Sequence, residues 1–243
     1  MRYRVLTWIM RTLTRGLLLG GLFTLRGVEN VPRTGALLVC PNHTSTVDPP
    51  LVPAFTPRND LWSMAKSEYF RNPWVAWLFR WYQSFPVVRH SADRTALRRA
   101  LELLRDGHAL LIYPEGTRTP AGILVKPEPG AGFIAQKANC LVLPVALAGT
   151  REVMPKGAKL PRRTPASMTI GKPFRVETKR ADGTKVSHQD ASDAIMLRIA
   201  ELLPEHLRGE FSDLESHRRS LEGVTVPLSR TAGEGQGEGL TAK

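Results

Sequence analysis

The chain has 243 residues, 42% of them hydrophobic and 23% charged, which is the makeup of a folded globular protein and excludes a disordered one. A surplus of 34 Lys and Arg over 22 Asp and Glu gives a net charge of +12 and favours polyanionic partners: nucleic acid, anionic lipid head groups or a phosphate-rich small molecule. Two cysteines 100 residues apart, Cys40 and Cys140, sit in apolar runs without metal-type spacing; they exclude a disulfide scaffold and read as buried thiols in a reducing compartment.

Residues 1–26 are rich in Leu, Ile and Trp, but Arg4, Arg11 and Arg15 interrupt them. A cleaved signal needs an unbroken apolar core. A membrane span needs about 20 mostly apolar residues, and the longest charge-free stretch here, Gly16 to Leu25, is half that. Arg4, Thr7, Arg11 and Arg15 recur on one helical face, and Leu6, Ile9, Leu13 and Leu17 on another. The pattern predicts an amphipathic helix with a basic side, suited to an anionic bilayer surface or to packing on the protein's own core. The first reading places the protein on the cytoplasmic face of the cell membrane, peripheral or monotopic.

Ala36 to Cys40 then reads as a buried strand, bounded by Thr34-Gly35 and Pro41-Asn42. Leu61 to Ala65 is a second strand. Pro73 to Tyr82 is a helix with proline in its first turn, and its Trp74, Trp77 and Trp81 form a stripe for a core or an interface. Phe85 to Arg89 is a strand. Asp93 to Asp106 is a helix with Ala96, Leu97, Ala100, Leu101 and Leu104 on one face, closed by Gly107. His108 to Tyr113 is a strand, Gly130 to Asn139 a helix, and Leu141 to Ala148 and Ala166 to Ile170 are strands. Ser187 to Leu203 is a helix with Ser187 and Asp190 at capping-box-like spacing. From Gly223 onward apolar periodicity fades into a Gly/Glu-rich run, so residues 223–243 read as a disordered tail. Strands alternating with helices predict an α/β fold, a mixed, largely parallel sheet flanked by helices, with its site where strands end and loops begin.

Three strand ends carry candidate chemistry. After the first strand comes Asn42-His43-Thr44-Ser45-Thr46-Val47-Asp48-Pro49-Pro50. On an ideal helix His43 and Asp48 would point about 140° apart. They meet only if the intervening residues turn, with a helix starting at Pro49 and Asp48 as its cap. Such a pair is half of a Ser-His-Asp system: the carboxylate orients the imidazole, and the imidazole takes a proton from a substrate hydroxyl. From the spacing alone, an incidental loop histidine beside an N-cap aspartate is the commoner arrangement. Tyr113-Pro114-Glu115-Gly116-Thr117-Arg118 follows another strand; its glycine permits close backbone approach and its arginine offers a fork for phosphate. Phe85-Pro86-Val87-Val88-Arg89 ends in a second arginine. Leu141 to Ala146 contains Pro144, a kink or edge signal without chemistry.

NHTSTVD, FPVVR, YPEGTR and VLPVAL, in this order, resemble the four motif blocks of the 1-acylglycerol-3-phosphate acyltransferases and their glycerolipid acyltransferase relatives, over roughly Gly27 to Gly171. The resemblance implies an acyltransferase domain over residues 27–222. It implies His43 as general base, Asp48 as its orienting partner, Arg118 with Arg89 on the acceptor phosphate, and Glu115, Gly116 and Thr117 shaping that site. Lys66, in Met64-Ala65-Lys66-Ser67-Glu68, resembles a lysine near the family's second block. The implied reaction moves an acyl group from acyl-CoA or acyl-ACP, as co-substrate, to the free hydroxyl of 1-acylglycerol-3-phosphate, a step of phospholipid biosynthesis. No cofactor and no metal are expected. The implied partners are a lysophospholipid, the acyl carrier and a membrane surface, and no nucleic acid, since the basic residues are dispersed rather than set on one reading helix. Another lyso-lipid or glycerol-3-phosphate as acceptor, a thioesterase of the same fold, and a non-catalytic membrane scaffold are the alternatives.

Overall fold

An apolar residue at every position marks a strand covered on both faces. Ala36 to Cys40 meets that condition, and in the computed structural model it is β2 (Leu37–Pro41), buried throughout. Parallel neighbours flank it, β5 (Ala109–Leu111) on one side and β6 (Leu141–Ala148) on the other. The structure describes residues 2–18, 22–88, 93–119, 121–155 and 157–227, with the backbone alone at 15, 17 and 18.

Four more strands, β1 (Phe23–Arg26), β3 (Leu61–Lys66), β4 (Ser84–Val87) and β7 (Ala166–Ile170), complete the order β1-β7-β6-β2-β5-β3-β4. Off this path, β8 (Phe174–Val176) pairs with β6, and β9 (Thr225–Pro227) with β8. Among the described strands the antiparallel pairs are β6–β7, β6–β8 and β8–β9. The pairs β1–β7, β2–β5, β2–β6, β3–β4 and β3–β5 are parallel. The sheet is therefore the mixed, mostly parallel one that the alternation of elements predicts.

Strand periodicity sorts the core into two layers. Leu37 and Val39 join Leu51, Val52 and Phe55 of α2 (Asp48–Phe55) and Tyr3 of α1 (Arg2–Thr12). Leu38 and Cys40 face the opposite layer, with α4 (Arg94–Arg105), α5 (Gly130–Ala138) and α7 (His188–Ala200). The short helices α3 (Pro73–Trp81), α6 (Thr150–Val153) and α8 (Leu214–Ser220) complete the set. Helices α5 and α7 touch at Gly132, where a Cβ would sit 2.2 Å from the His188 carbonyl oxygen. The Gly132 N–H, an unpaired first-turn donor, reaches Ser192 Oγ at 2.9 Å.

Pro144 lies in an interior strand, not at an edge. It faces the gap where the neighbour of β6 changes from β8, paired at Val142, to β7, paired from Val145. In a strand, N–H and C=O of one residue point the same way, and the Pro144 oxygen accepts there from Gly171 N at 2.9 Å. The missing N–H thus falls where no strand would receive it. In β4, Pro86 is on a true edge and exposed.

At the sheet end opposite the site, Arg58 is 3% exposed. Its guanidinium takes Asp60 with two bonds of 2.7 Å and reaches the carbonyls of Pro32, Gly35 and Gly107. Those residues precede β3, β2 and β5, so one side chain ties three loops. Arg58→Ala removes all of these bonds at once and is expected to cost about 2 kcal/mol, a fall in Tm of about 5 °C by calorimetry.

Of residues 1–26, expected to be one amphipathic helix, α1 takes only Arg2–Thr12, and Arg11 of its basic side turns inward. Helix α1 is followed by a π-helical turn, Leu13–Leu18, and then by β1, which lies parallel to β7 with Phe23 opposite Ala166. Thr7 is buried, and Arg11 Nε donates to the Ala54 carbonyl at 2.8 Å. That carbonyl is in the last turn of α2, where oxygens lack intrahelical partners, so the arginine is drawn inward. The outward side carries Val5, Trp8 and Ile9 with Arg2 and Arg4 beside them. Residues 224–227 do not belong to the tail expected from Gly223: Val224 is fully buried and β9 completes the sheet beyond β8. The rest of that tail lies outside the described residues.

Candidate active site

Four adjacent parallel strands, β2, β5, β3 and β4, end on the same side of the sheet, at Pro41, Leu111, Lys66 and Val87. The segments that follow β2 and β5 carry two of the motifs, and topology alone brings them together.

The β2–β6 ladder ends at Pro41 opposite Val145. The Asn42 side chain extends it, accepting from Leu147 N at 2.7 Å and donating to Leu147 O at 3.0 Å. His43 follows, with its backbone held by the loop after β5. Its N–H donates to Glu115 Oε2 at 2.6 Å, and its carbonyl accepts from Thr119 N at 2.9 Å. Its ring stacks on Tyr113 at 4.1 Å between centroids.

Asp48 is fully buried, and its Oδ2 gathers three groups: His43 Nδ1 at 3.0 Å, Thr44 N at 2.8 Å and Ser45 N at 2.7 Å. The aspartate does not cap its helix, as the spacing had suggested. It is the first residue of α2, behind Val47, and its carboxylate turns back into the 43–45 loop. A carboxylate at Nδ1 makes that nitrogen the N–H, which leaves Nε2 with its lone pair to receive a proton.

His43 lines a cavity of about 320 Å3. Arg118, Tyr113 and Lys66 line it too, with Pro49 and Pro50 on one side and Tyr69, Leu78 and Phe79 on another. The Lys66 ammonium pairs with Glu68 at 2.9 Å. A second cavity, about 600 Å3, shares Met64 and Tyr113 with the first and runs toward α4 and α5 past Gly116. Gly116 has φ +67, and a Cβ there would approach Glu128 Cγ at 3.1 Å. Thr117 is exposed and lines neither cavity.

Glu115 points inward, 4% exposed, and does not line the His43 cavity. Burial pushes its carboxyl up to about 8, and the Asp48 charge adds to the rise; the N–H groups of His43 and Val125 pull the other way but do not win. Arg89 lies outside the described residues. Cys40 is on the opposite face of β2, and burial drives its thiol well above the usual range, which keeps it neutral and unreactive. Among the described residues no group of three or more His, Cys, Asp or Glu is placed to hold a metal ion. Sequence reasoning singled out neither Asn42 nor Tyr113, although both lie inside the quoted blocks; their partners, Leu147 and the His43 ring, are joined to them only by the fold.

A family model described as Acyltransferase matches residues 22–148. The 1-acyl-sn-glycerol-3-phosphate acyltransferase of Bacillus subtilis is 26% identical over 174 residues, 72% of this chain and 84% of that protein. The lyso-ornithine lipid O-acyltransferase of Pseudomonas aeruginosa is 32% identical over 156 residues, 64% of this chain and 57% of that protein. Plant and algal relatives are longer, and the match spans 38% to 56% of them. The crystal structure of the 1-acyl-sn-glycerophosphate (LPA) acyltransferase PlsC from Thermotoga maritima superposes with a TM-score of 0.63 at 27% identity, over 83% of this chain and 81% of that one.

Proposed function

The chain belongs to the acyltransferase family, and on that footing we propose that it moves an acyl group from acyl-CoA or acyl-ACP to the free hydroxyl of 1-acylglycerol-3-phosphate, making phosphatidic acid. One observation carries the reading: His43, paired with the buried Asp48 behind it, stands in the wall of a largely apolar cavity that Arg118 also lines. His43 Nε2 takes the hydroxyl proton while that oxygen forms its bond to the thioester carbonyl carbon. Asp48 holds Nδ1 and stabilises the imidazolium. The carbon–sulfur bond then breaks, and the departing thiolate takes the proton back from Nε2. Proton and electron pair balance without a covalent enzyme intermediate or a cofactor. Holding both substrates in one place supplies much of the remaining acceleration.

Arg118 is the group suited to the acceptor phosphate, being exposed at the cavity and carrying a planar fork of donors. Lys66 lines the same wall, its ammonium paired with Glu68. A share for Arg89 rests on the motif resemblance. Gly116 and Thr117 shape the loop that presents Arg118, and Glu115 braces that loop from inside rather than touching substrate.

The acceptor also sets the location. A lysolipid is delivered by a membrane, and α1 presents Val5, Trp8 and Ile9 outward with exposed Arg2 and Arg4 beside them. That suits a helix lying on an anionic surface. No helix among the described residues is long and apolar enough to cross a membrane. The catalytic domain then runs from about residue 22, where β1 begins to form, to the end of β9.

The lyso-ornithine lipid relative favours a second reading, an acceptor without phosphate. Arg118→Ala separates the two. With 1-acylglycerol-3-phosphate, loss of a charge-assisted bond is expected to raise KM about 10- to 100-fold with kcat little changed. With a phosphate-free lysolipid the substitution should be neutral. Wild-type saturation by the phosphate acceptor in that variant would remove the phosphate role.

A further inference from the structure

Helix α3 is inside out. Trp74, Trp77, Leu78 and Trp81 recur at helical spacing, a stripe that faces the core in a soluble domain. Here Trp74 is 82% exposed, Trp77 49% and Leu78 43%, and Ala76 is the one buried residue of the helix. The exposure is not fraying: Asn72 Oδ1 caps the helix, accepting from Trp74 N and Val75 N. Its far end is fastened as well, with the Arg2 guanidinium 5.1 Å over the Trp81 ring and Tyr3 edge-on to Tyr82. A well-built helix thus holds two tryptophans outward. No carboxylate lies on α3, while Arg71 and Arg80 are exposed at its two ends.

The other side of this helix is a wall of the His43 cavity, through Leu78 and Phe79, with Tyr69 and Tyr82 beside it. Leu78 belongs to both surfaces, exposed outside and lining within. The helix is therefore a partition one residue thick at that point.

We propose that α3 seats its Trp74–Trp77 face in the interfacial layer of an anionic bilayer, so that the acceptor enters the His43 cavity sideways from the leaflet, past Leu78. The second half of this statement rests on the lipid acyltransferase reading; the first does not. Tryptophan with flanking arginine is the chemistry of the head-group layer, where the ring has an apolar body and a polar N–H and the cation meets anionic lipid. A second copy of the chain fits less well, because pairing α3 with itself would bring Arg71 and Arg80 of one copy against the same arginines of the other.

The test uses a polarity-sensitive dye on Trp74→Cys. Cys40 and Cys140 are buried, so the label goes to the introduced thiol. Arg219→Cys, exposed on α8 behind α7, serves as reference. On vesicles of phosphatidylcholine and phosphatidylglycerol, the dye at 74 should shift to the blue, be quenched by brominated lipid chains and lose quenching by aqueous iodide. The dye at 219 should change little. Equal iodide quenching at 74 with and without vesicles overturns the docking. So does shielding already present without vesicles together with a doubled mass in sedimentation, which would assign the face to a second copy.

The route is read separately. Trp74→Ser/Trp77→Ser should lower turnover of a vesicle-embedded lysolipid about tenfold and leave a short-chain, monomeric lysolipid unaffected. Equal loss on both overturns the lateral route. If the wild type acylates no lysolipid at all, the catalytic reading and the route fall together, and the dye measurements still decide the docking.

Discussion

His43→Ala is expected to reduce acyl transfer by about 10^3- to 10^4-fold at unchanged fold, because it removes the general base while leaving the binding groups in place. The geometry predicts a graded series around it. Asp48→Asn can keep its amide oxygen where Oδ2 now accepts from His43 Nδ1, Thr44 N and Ser45 N. The new NH2 then takes the place of Oδ1, which has no partner. Tautomer and loop are preserved, and only the charge that stabilises the imidazolium is lost; a fall of about 100-fold follows. Asp48→Ala removes the acceptor altogether. Three donors lose their partner in a fully buried place, so activity drops to the His43→Ala level and the fold is weakened by about 3 kcal/mol. Steady-state kinetics with acyl-CoA and a lysolipid, beside calorimetry, read all three. Retention of more than about a tenth of wild-type turnover in His43→Ala would place the base elsewhere, since a positioned base contributes at least about 100-fold.

Glu115 predicts an unusual dependence of stability on pH. Its carboxyl titrates at about 8 in the fold, raised mainly by burial and further by Asp48, against about 4.3 in an unfolded chain. Between those values the folded state holds a proton that the unfolded state has released. Stability from this group is therefore complete below about pH 4.3 and is lost as pH climbs toward 8, at about 1.4 kcal/mol per unit where the difference is full. The whole window amounts to roughly 3–5 kcal/mol. Glu115→Gln keeps an oxygen for the 2.6 Å bond from His43 N and cannot ionise. The variant should lose the downward slope between pH 5 and 8 and exceed the wild type by about 3 kcal/mol near pH 8. Urea unfolding at pH 5.5 and 8 in both proteins decides it; parallel pH slopes would mean that Glu115 is not the group responsible. The variant also separates bracing from substrate binding. If Glu115 only holds the His43 backbone, KM for the acceptor stays put in Glu115→Gln.

What could be read without coordinates divides along the range of the interactions. The unbroken apolar run of β2, the amphipathic α4 and the Ser187 cap depend on neighbours a few residues away, and each lies close to where periodicity puts it. Strands β8 (Phe-Arg-Val) and β9 (Thr-Val-Pro) went unread because neither carries the unbroken apolar run that makes the equally short β5 readable, and β1 because its Phe-Thr-Leu-Arg alternation was absorbed into a helical pattern. The π-helical turn that separates α1 from β1 carries no proline to announce it.

The His43–Asp48 pairing is only five residues long, and the two prolines behind it made the turn readable. Yet the role of Asp48 as a hub for three donors, rather than a cap, is set by how the loop closes on it. The sequence by itself determined the chemistry available: an imidazole, its carboxylate, an arginine after a glycine, and aromatic residues at helical spacing. Tertiary structure alone decided which of these meet. Glu115 reaches across 72 positions to the His43 amide, and Asn42 across 105 to Leu147. Trp74 and Trp77 face outward because the inner side of α3 is spent on the cavity wall. Such contacts depend on the order of strands in the sheet, and no local pattern along the chain encodes that order.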